Sequence, residues 1–319
     1  MNEAGNPPPS APRPLAGLLV VSLEQAVAAP LCSGLLAGAG AGTGARLGFG
    51  SDTLRARHPR LITVEVSGYG EQGEYARMKA YDLLIQGESG LASVTGTPDA
   101  PGRVGVSICD IASGMYAYAG VLEALLLRNA TGRGSGLHVS LFGAAANWMT
   151  VPLLHHDYGG AAPARMGLSH PSIAPYGAFV TADGTPVLVA VQNEREWCAF
   201  CRQVLEAPEL AANPAFSTNR DRVAHRTALD ELIGGIVRRL DAQGLATRLN
   251  GACIAWGRVN SVADLSGHPQ LRRERVNSPT GPVDRVAHPV EKTAWSQAAG
   301  PVPALGQHDA SVRAEFRRR

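Results

Sequence analysis

The chain has 319 residues, 45% of them hydrophobic and 18% charged, and its 29 Lys and Arg against 27 Asp and Glu leave a formal net charge of +2. That is enough apolar material for one large domain or two moderate ones. With the charges nearly balanced, no Lys/Arg block and only 5% aromatic residues, a nucleic-acid-binding face is excluded as an expectation, and no window reaches the roughly eighteen uninterrupted apolar residues that a membrane span needs.

The chain opens on "MNEAGNPPPSAPRP", residues 1–14, which is Pro-rich and without the apolar core of a signal peptide; a disordered N-terminus is expected there. The five cysteines, at 32, 109, 198, 201 and 253, are odd in number and scattered. Such usage fits a reducing compartment better than a disulfide framework, so a cytoplasmic protein is expected.

From Leu18 to Leu23 an apolar run reads as a buried strand, followed by a small-residue helix start around Ala28 to Leu36, the opening of a βα unit. "GAGAGTG", Gly38 to Gly44, invites a dinucleotide fingerprint, but it follows a helical pattern and fits no G-x-G-x-x-G register, which argues against a nicotinamide enzyme. A polar helix end then leads to a second strand, Leu61 to Val66, stopped by Gly68 and Gly70.

In "VGVSICDIASGMYAYAGVLEALL", residues 104–126, Val104, Val106 and Ile108 alternate at the period of a strand, while Ile111, Met115, Tyr118, Leu122 and Leu126 recur at helical spacing. Asp110 falls on the boundary. Two readings fit it: a helix N-cap, which the free N–H groups and the helix dipole favour, and a nucleophilic carboxylate at the end of a strand, where α/β sheets hold their ligands. "TGRGSG" is a turn, "LHVSLF" a third strand, and helix resumes through Trp148 and Leu154. His155, His156 and Asp157 are adjacent, so they point to different faces of that helix and read as solvated, with no metal site expected.

Near Pro163 the character changes: "YGAFVTADGTPVLVAVQ" reads as a hairpin turning at Asp183 and Gly184, and "NEREWCAFCRQVL" and "DRVAHRTALDELIGGIVRRL" as amphipathic helices. The C-x-x-C at Cys198 and Cys201 has no second ligand pair, and Trp197, Phe200, Cys201 and Val204 share a helical stripe, so core packing is expected. Strands alternating with helices predict an α/β fold with a doubly wound, mostly parallel, Rossmann-like sheet and a second, smaller α+β domain. The expected boundaries are 15–163 with 284–319 for the large domain and 164–283 for the small one, "PVPALGQH" being a returning segment.

Taken in order, "LAGLLVVSLEQAVAAPLC", the long stretch from "LRARHPRLITVEVSGYG" through "KAYDLLIQGESGL" and "CDIASGMYAYAG" to "LHVSLF", and "HPSIAPYGAF" resemble the class III CoA-transferases, the group that contains formyl-CoA transferase, with α-methylacyl-CoA racemase as a related branch. The likeness covers nearly the whole chain after Pro14. It implies that Asp110 is the nucleophile, with coenzyme A and its acyl thioesters as substrates, a small carboxylic acid as partner, no permanently bound cofactor, and an interlocked homodimer. Carried over position by position, it implies CoA contacts at Gln25, Val27 and Ala28, at Arg46 and Leu47 in "ARLG", and at Lys79, Ala80, Tyr81 and Asp82 in "KAYD". Arg46 and Lys79 can neutralise phosphates, while the small residues Ala112, Ser113 and Gly114 would leave room for an acyl group.

Against the family pattern, "LLAGAG" runs almost directly into "AGTGARLGFG", so on the order of two βα units of the implied sheet are missing, and a weakened, salt-dependent CoA site is expected. "GLSHPSIAPYG" stands in the region of the family's glycine-rich flap. Two alternatives accompany the transferase reading. A racemase needs two acid/base groups around the α-carbon, and Tyr81 stands where racemases carry a His, which suits proton transfer near neutral pH far better than a phenol. A shortened, non-catalytic relative would instead pair with a full-length one.

Overall fold

The computed structural model describes residues 14–22, the backbone of 42–44, residues 51–293 and residues 300–317. The chain divides into two compact units, the first drawn from 1–91, 104–150 and 269–319 and the second from 92–103 and 151–268.

In the first unit, β1 (Leu19–Val21) pairs in parallel with β2 (Gly42–Gly44). After α1 (Ser51–Arg57), β3 (Thr63–Ser67) pairs in parallel with the later strand β6 (Gly136–Ser140), placing Glu65 opposite His138. Two short helices, α2 (Asp82–Glu88) and α3 (Leu91–Val94), lie between them in sequence. So does the two-residue pairing of β4 (Gly96–Thr97) with β5 (Ala100–Pro101), which falls in the second unit.

The long helix α4 (Ile108–Thr131) packs on the strands. Its Ala117 and Val121 join Val20 of β1, Val64 and Val66 of β3 and Leu137 and Val139 of β6 in one apolar cluster, each strand offering alternate residues to it as the two-residue pleat requires. The helix forms where its spacing predicts, but the stripe it buries differs. Cys109, Ala112, Ser113, Ala117, Val121 and Ala124 are buried, while Met115 is 48% and Leu126 71% exposed. Tyr118 and Leu122 of the predicted stripe still pack, partly buried, against the cluster, but the most fully buried positions go mainly to small side chains, which let the helix approach its neighbours closely. Gly132, left-handed at φ 73°, ends the helix by donating its N–H to Arg128 O at 2.8 Å.

By length and composition α4 is the one helix among the described residues able to cross a membrane; its buried stripe belongs instead to the core of its unit. α5 (Leu141–Trp148) follows β6 directly, with the Ser140 hydroxyl accepting the Gly143 N–H at 2.9 Å. α6 (Thr150–Gly159) carries His155, His156 and Asp157, all exposed.

The second unit is built on an antiparallel sheet of β7 (Tyr176–Val180), β8 (Pro186–Ala190) and β9 (Ala255–Arg258), in that order. The β7–β8 turn falls at Asp183 and Gly184 as predicted, Gly184 taking φ 77°. Against the sheet lie α7 (Glu194–Ala199), continued by a π-helical turn from Phe200 to Val204, then α8 (Glu209–Ala212), α9 (Asn219–Ala224), α10 (Arg226–Val237) and α11 (Ala242–Gly251). Trp197, Phe200, Cys201 and Val204 are all buried in this core with Leu229, Ile233 and Leu249, while Cys198 is exposed, so of the C-x-x-C pair Cys201 serves packing.

The single helix read through "DRVAHRTALDELIGG" breaks at His225, which closes α9 and opens α10. After α12 (Val262–Ser266), the antiparallel hairpin β10 (Arg273–Ser278) and β11 (Gly281–Val286) belongs with the first unit. The returning segment bonds to it through Val302 N–H and Asn277 O at 2.8 Å, before α13 (Asp309–Phe316). The fold is mixed α/β, with parallel strand pairs and smaller antiparallel sheets.

Candidate active site

Lys79, Ala80 and Tyr81 of "KAYD" lead into α2, and Asp82 is its first residue. Gly68, just after β3, makes the fit possible: a Cβ built there would stand 2.3 Å from the Ala80 Cβ, and its carbonyl accepts the Phe142 N–H at 3.0 Å. Beneath this meeting of β3, α2, α4 and α5, the buried Ile85, Cys109, Leu141 and Ala145 form a compact apolar cluster. Lys79 is exposed, Ala80 half-buried, and Tyr81, extended at the entrance to α2, is 71% exposed.

Asp82 turns inward. Its Oδ1 accepts the N–H of Cys109 at 2.7 Å and that of Asp110 at 3.3 Å, while its Oδ2 accepts Gln86 Nε2 at 2.7 Å. Gln86 is completely buried and also grips Val104, accepting its N–H at 2.8 Å and donating to its carbonyl at 3.4 Å.

This geometry corrects the reading of the 104–110 boundary. Residues 104–107 form no strand, because the Val104 backbone groups bond to a side-chain amide instead of a neighbouring strand, and Val106 is 55% exposed. Nor is Asp110 the cap: α4 begins at Ile108, Ser107 occupies the cap position without a side-chain bond, and Asp110 sits in the first turn. The capping carboxylate comes from Asp82, 28 residues earlier in sequence. A helix start can accept its carboxylate from any part of the fold.

Asp110 is half-buried, and burial, then the neighbouring Asp82 charge, hold its carboxyl above the usual range. The helix N–H groups were expected to favour the Asp110 anion; two of them serve Asp82. Beside it, burial and the two carboxylates push the Cys109 thiol up to about 12, so it is inert. The Ser113 hydroxyl donates to the Cys109 and Asp110 carbonyls at 3.0 Å each, and Ala112, Ser113 and Gly114 are buried on the inward side of α4.

Of the residues the resemblance brought forward, the structure gathers Asp82 and Asp110 at one point, with Lys79, Ala80 and Tyr81 on the segment entering it. Gln25, Val27, Ala28, Arg46 and Leu47 lie outside the described residues. Gln86 was missed. Its signal was the i, i+4 spacing from Asp82 on a helix, where the two side chains meet.

In the second unit, the flap-like segment is pinned along its length. Arg226 donates to the His170 and Ile173 carbonyls at 2.6 Å each, the Asn219 amide bonds Ser172 O and the Ala174 N–H, and the His170 ring stacks on Tyr176 at 5.2 Å. Among the described residues, Glu65, Glu71 and His138 bring one potential metal-ligand atom each to within 4.8 Å of one another. Those atoms already serve one another, His138 pairing with Glu71 at 3.0 Å, and Arg55 acts on Glu65, a poor setting for a cation.

The first unit thus carries a half-buried carboxylate on the first turn of its core helix, beside a second one from α2. The chain belongs to CoA-transferase family III, whose sequence description matches residues 41–309. The acetyl-CoA:oxalate CoA-transferase of Acetobacter aceti is 33% identical over 276 residues, which cover 85% of this chain and 70% of that protein. The succinate–glutarate CoA-transferase of Agrobacterium fabrum is 29% identical over 279 residues, 85% of this chain and 69% of that one. Among solved structures, a CaiB/BaiF family protein from Brucella suis superposes with a TM-score of 0.80 at 26% identity, covering 96% of this chain and 100% of that one. The protein is thus an enzyme of CoA transfer.

Proposed function

We propose that the protein moves coenzyme A from an acyl-CoA, with succinyl-CoA as the first donor to try, to a small carboxylic acid, and that Asp110 carries the acyl and CoA groups in turn. The observation that carries this reading is the Asp110 carboxylate itself: first turn of α4, half-buried, beside Asp82 and held above its usual range. The Asp110 carboxylate attacks the thioester carbonyl, the C–S bond breaks, and CoA leaves as thiolate from a mixed anhydride. The thiolate attacks the aspartyl carbonyl and releases the donor acid, leaving an aspartyl-CoA thioester. An acceptor carboxylate then attacks that carbonyl, expelling the thiolate and forming a new anhydride; the thiolate takes the acceptor acyl group and frees Asp110. No proton is gained or lost, and splitting the exchange into such steps is what covalent catalysis offers.

Lys79, exposed on the segment entering the site, supplies a cation for the CoA phosphates, with Arg46, Leu47, Gln25, Val27, Ala28, Ala80 and Tyr81 as the further CoA contacts that the resemblance implies. CoA is a substrate here and not a resident cofactor. The enzyme works as a homodimer: on the outer face of α4, Met115, Leu126 and Leu127 are 48%, 71% and 53% exposed, apolar area that association would remove from water. The four described cysteines are free, in keeping with a cytoplasmic setting.

The test is chemical trapping. The protein is incubated with succinyl-CoA, with oxalate and glutarate among the acceptors since the relatives are named for them, and quenched with hydroxylamine or borohydride. A hydroxamate, or a carbonyl reduced to the alcohol, is expected at position 110 and absent in Asp110→Asn. Turnover without an adduct at Asp110 would sink the mechanism.

A further inference from the structure

We infer that Asp82 is a positioning residue for the transfer reaction: it occupies the helix-start donors that Asp110 would otherwise bind, and so leaves the Asp110 carboxylate available for attack, with Gln86 holding Asp82 in place. The inference rests on Asp110 as the nucleophile. It departs from the CoA-contact role that the resemblance gave Asp82.

The geometry is a chain of bonds with one direction. Val104 fixes both ends of the Gln86 amide, at 2.8 and 3.4 Å, so the buried amide has one way to face, and its remaining capacity, at 2.7 Å, goes to Asp82 Oδ2. The second oxygen, Oδ1, is thereby aimed at the Cys109 and Asp110 N–H groups. The Asp82 carboxylate is thus built into the helix start from α2, whereas Asp110 stands in the first turn with its side chain receiving neither of these donors.

The physical consequence follows from competition. An Asp in the first turn ordinarily gains from the unpaired N–H groups and the positive end of the helix, which lower its basicity and quench it as a nucleophile. Here a second carboxylate takes those donors and sets a negative charge beside Asp110 in partly buried surroundings. Both effects favour a carboxylate basic enough to attack a thioester.

Among the described residues, Asp82 is the charged group that acts on Asp110. Asp82 comes from α2 and the Cys109 thiol, neutral, from α4. α5 has the sequence LFGAAANW and carries none. On β3 and β6 the ionisable side chains are Glu65 and His138, which engage Glu71 and Arg55.

Three variants of the full chain separate position from charge. Asp82→Asn keeps an acceptor for the N–H groups and removes the charge. Asp82→Glu keeps the charge and moves it by a methylene, and Asp82→Ala removes both. The readouts are kcat and KM over pH, and the titration of the Asp110 carboxyl by 13C NMR, assigned by its disappearance in Asp110→Asn. Asp82→Asn is expected to lower the Asp110 midpoint by about one pH unit or less, move the acidic limb of kcat down with it, and cut kcat several-fold at unchanged KM. Asp82→Glu should keep the midpoint high yet lose on the order of a hundredfold in kcat, as misplacement does.

An Asp110 midpoint that Asp82→Asn leaves in place, or full kcat in Asp82→Glu, overturns the inference. Should Asp82→Ala fail to fold, the two conservative variants still decide it. The NMR midpoint needs no turnover, so a wild type that forms no adduct at Asp110 is recognised separately as failure of the nucleophile assignment.

Discussion

At the scale of single residues, Asp110 is placed where the fold must work against it. Its carboxyl titrates above the ordinary 3.8 because burial and then Asp82 disfavour the anion. A raised acid binds its proton more tightly folded than unfolded, so its contribution to stability is complete below the unfolded value and is lost as pH rises through the folded one. Asp110→Asn removes the ionising group, so at pH 7 it should abolish transfer and stabilise the chain by roughly 0.5–1 kcal/mol, discounted for partial exposure. Denaturant unfolding at pH 7 and at pH 4 checks this; a variant less stable than wild type at pH 7 would contradict the electrostatic account. The residue type was legible in the sequence. The upward push on its carboxyl was not, because the charge beside it comes from a residue 28 positions away.

At the scale of elements, the site is where α2 and α4 are brought end to end, and Gly68 sets how closely. With Ala there, the new methyl would meet the Ala80 Cβ at 2.3 Å, a contact that no flexible side-chain end can relieve. Gly68→Ala is therefore expected to push the Lys79–Asp82 segment outward, cost about 1–3 kcal/mol and reduce kcat by about a hundredfold. An enzyme with wild-type stability and kcat would show that the close approach of the glycine is immaterial. Periodicity foretold α4 and the strands packed on it, since a pleat and a helix turn repeat locally. It misjudged 104–108, where alternation was genuine but a buried Gln86 amide took the backbone bonds of Val104. It placed Tyr118 and Leu122 of α4 rightly against the core but also counted Met115 and Leu126, which are exposed, while close packing gave the most buried positions mainly to small residues.

At the scale of the whole molecule, the second unit has its own ionic anchor. Arg222 is 1% exposed, lies 5.0 Å over the Trp197 ring, donates to the Ala174 and Phe216 carbonyls, and pairs with Glu194 at 2.7 Å. Arg222 first of all holds the Glu194 carboxyl below its ordinary 4.5. A depressed acid contributes stability that is present above the unfolded value and lost as pH falls through the folded one. The second unit should accordingly weaken as pH drops below 4.5. Glu194→Gln should cost about 1–2 kcal/mol at pH 7, because the buried guanidinium loses its counter-charge, and flatten that acid dependence. Unfolding followed by tryptophan fluorescence, with Trp197 and Trp256 both in this unit, reads the difference. An unchanged acid limb would remove Glu194 from the account.

The sequence by itself determined that this is a mixed α/β chain, where most of its strands and helices run, that Trp197 to Val204 is core, and which family it resembles, because these follow from local periodicity, turn chemistry and ordered motifs. Only the tertiary structure decided what Asp110 experiences. The acid that caps α4 is Asp82 of α2, oriented by Gln86, and the first turn of the helix belongs electrically to both carboxylates. Hydrogen bonds between residues distant in sequence obey no spacing rule; they are set when apolar burial draws the elements together and every polar group trapped by that burial must find a partner.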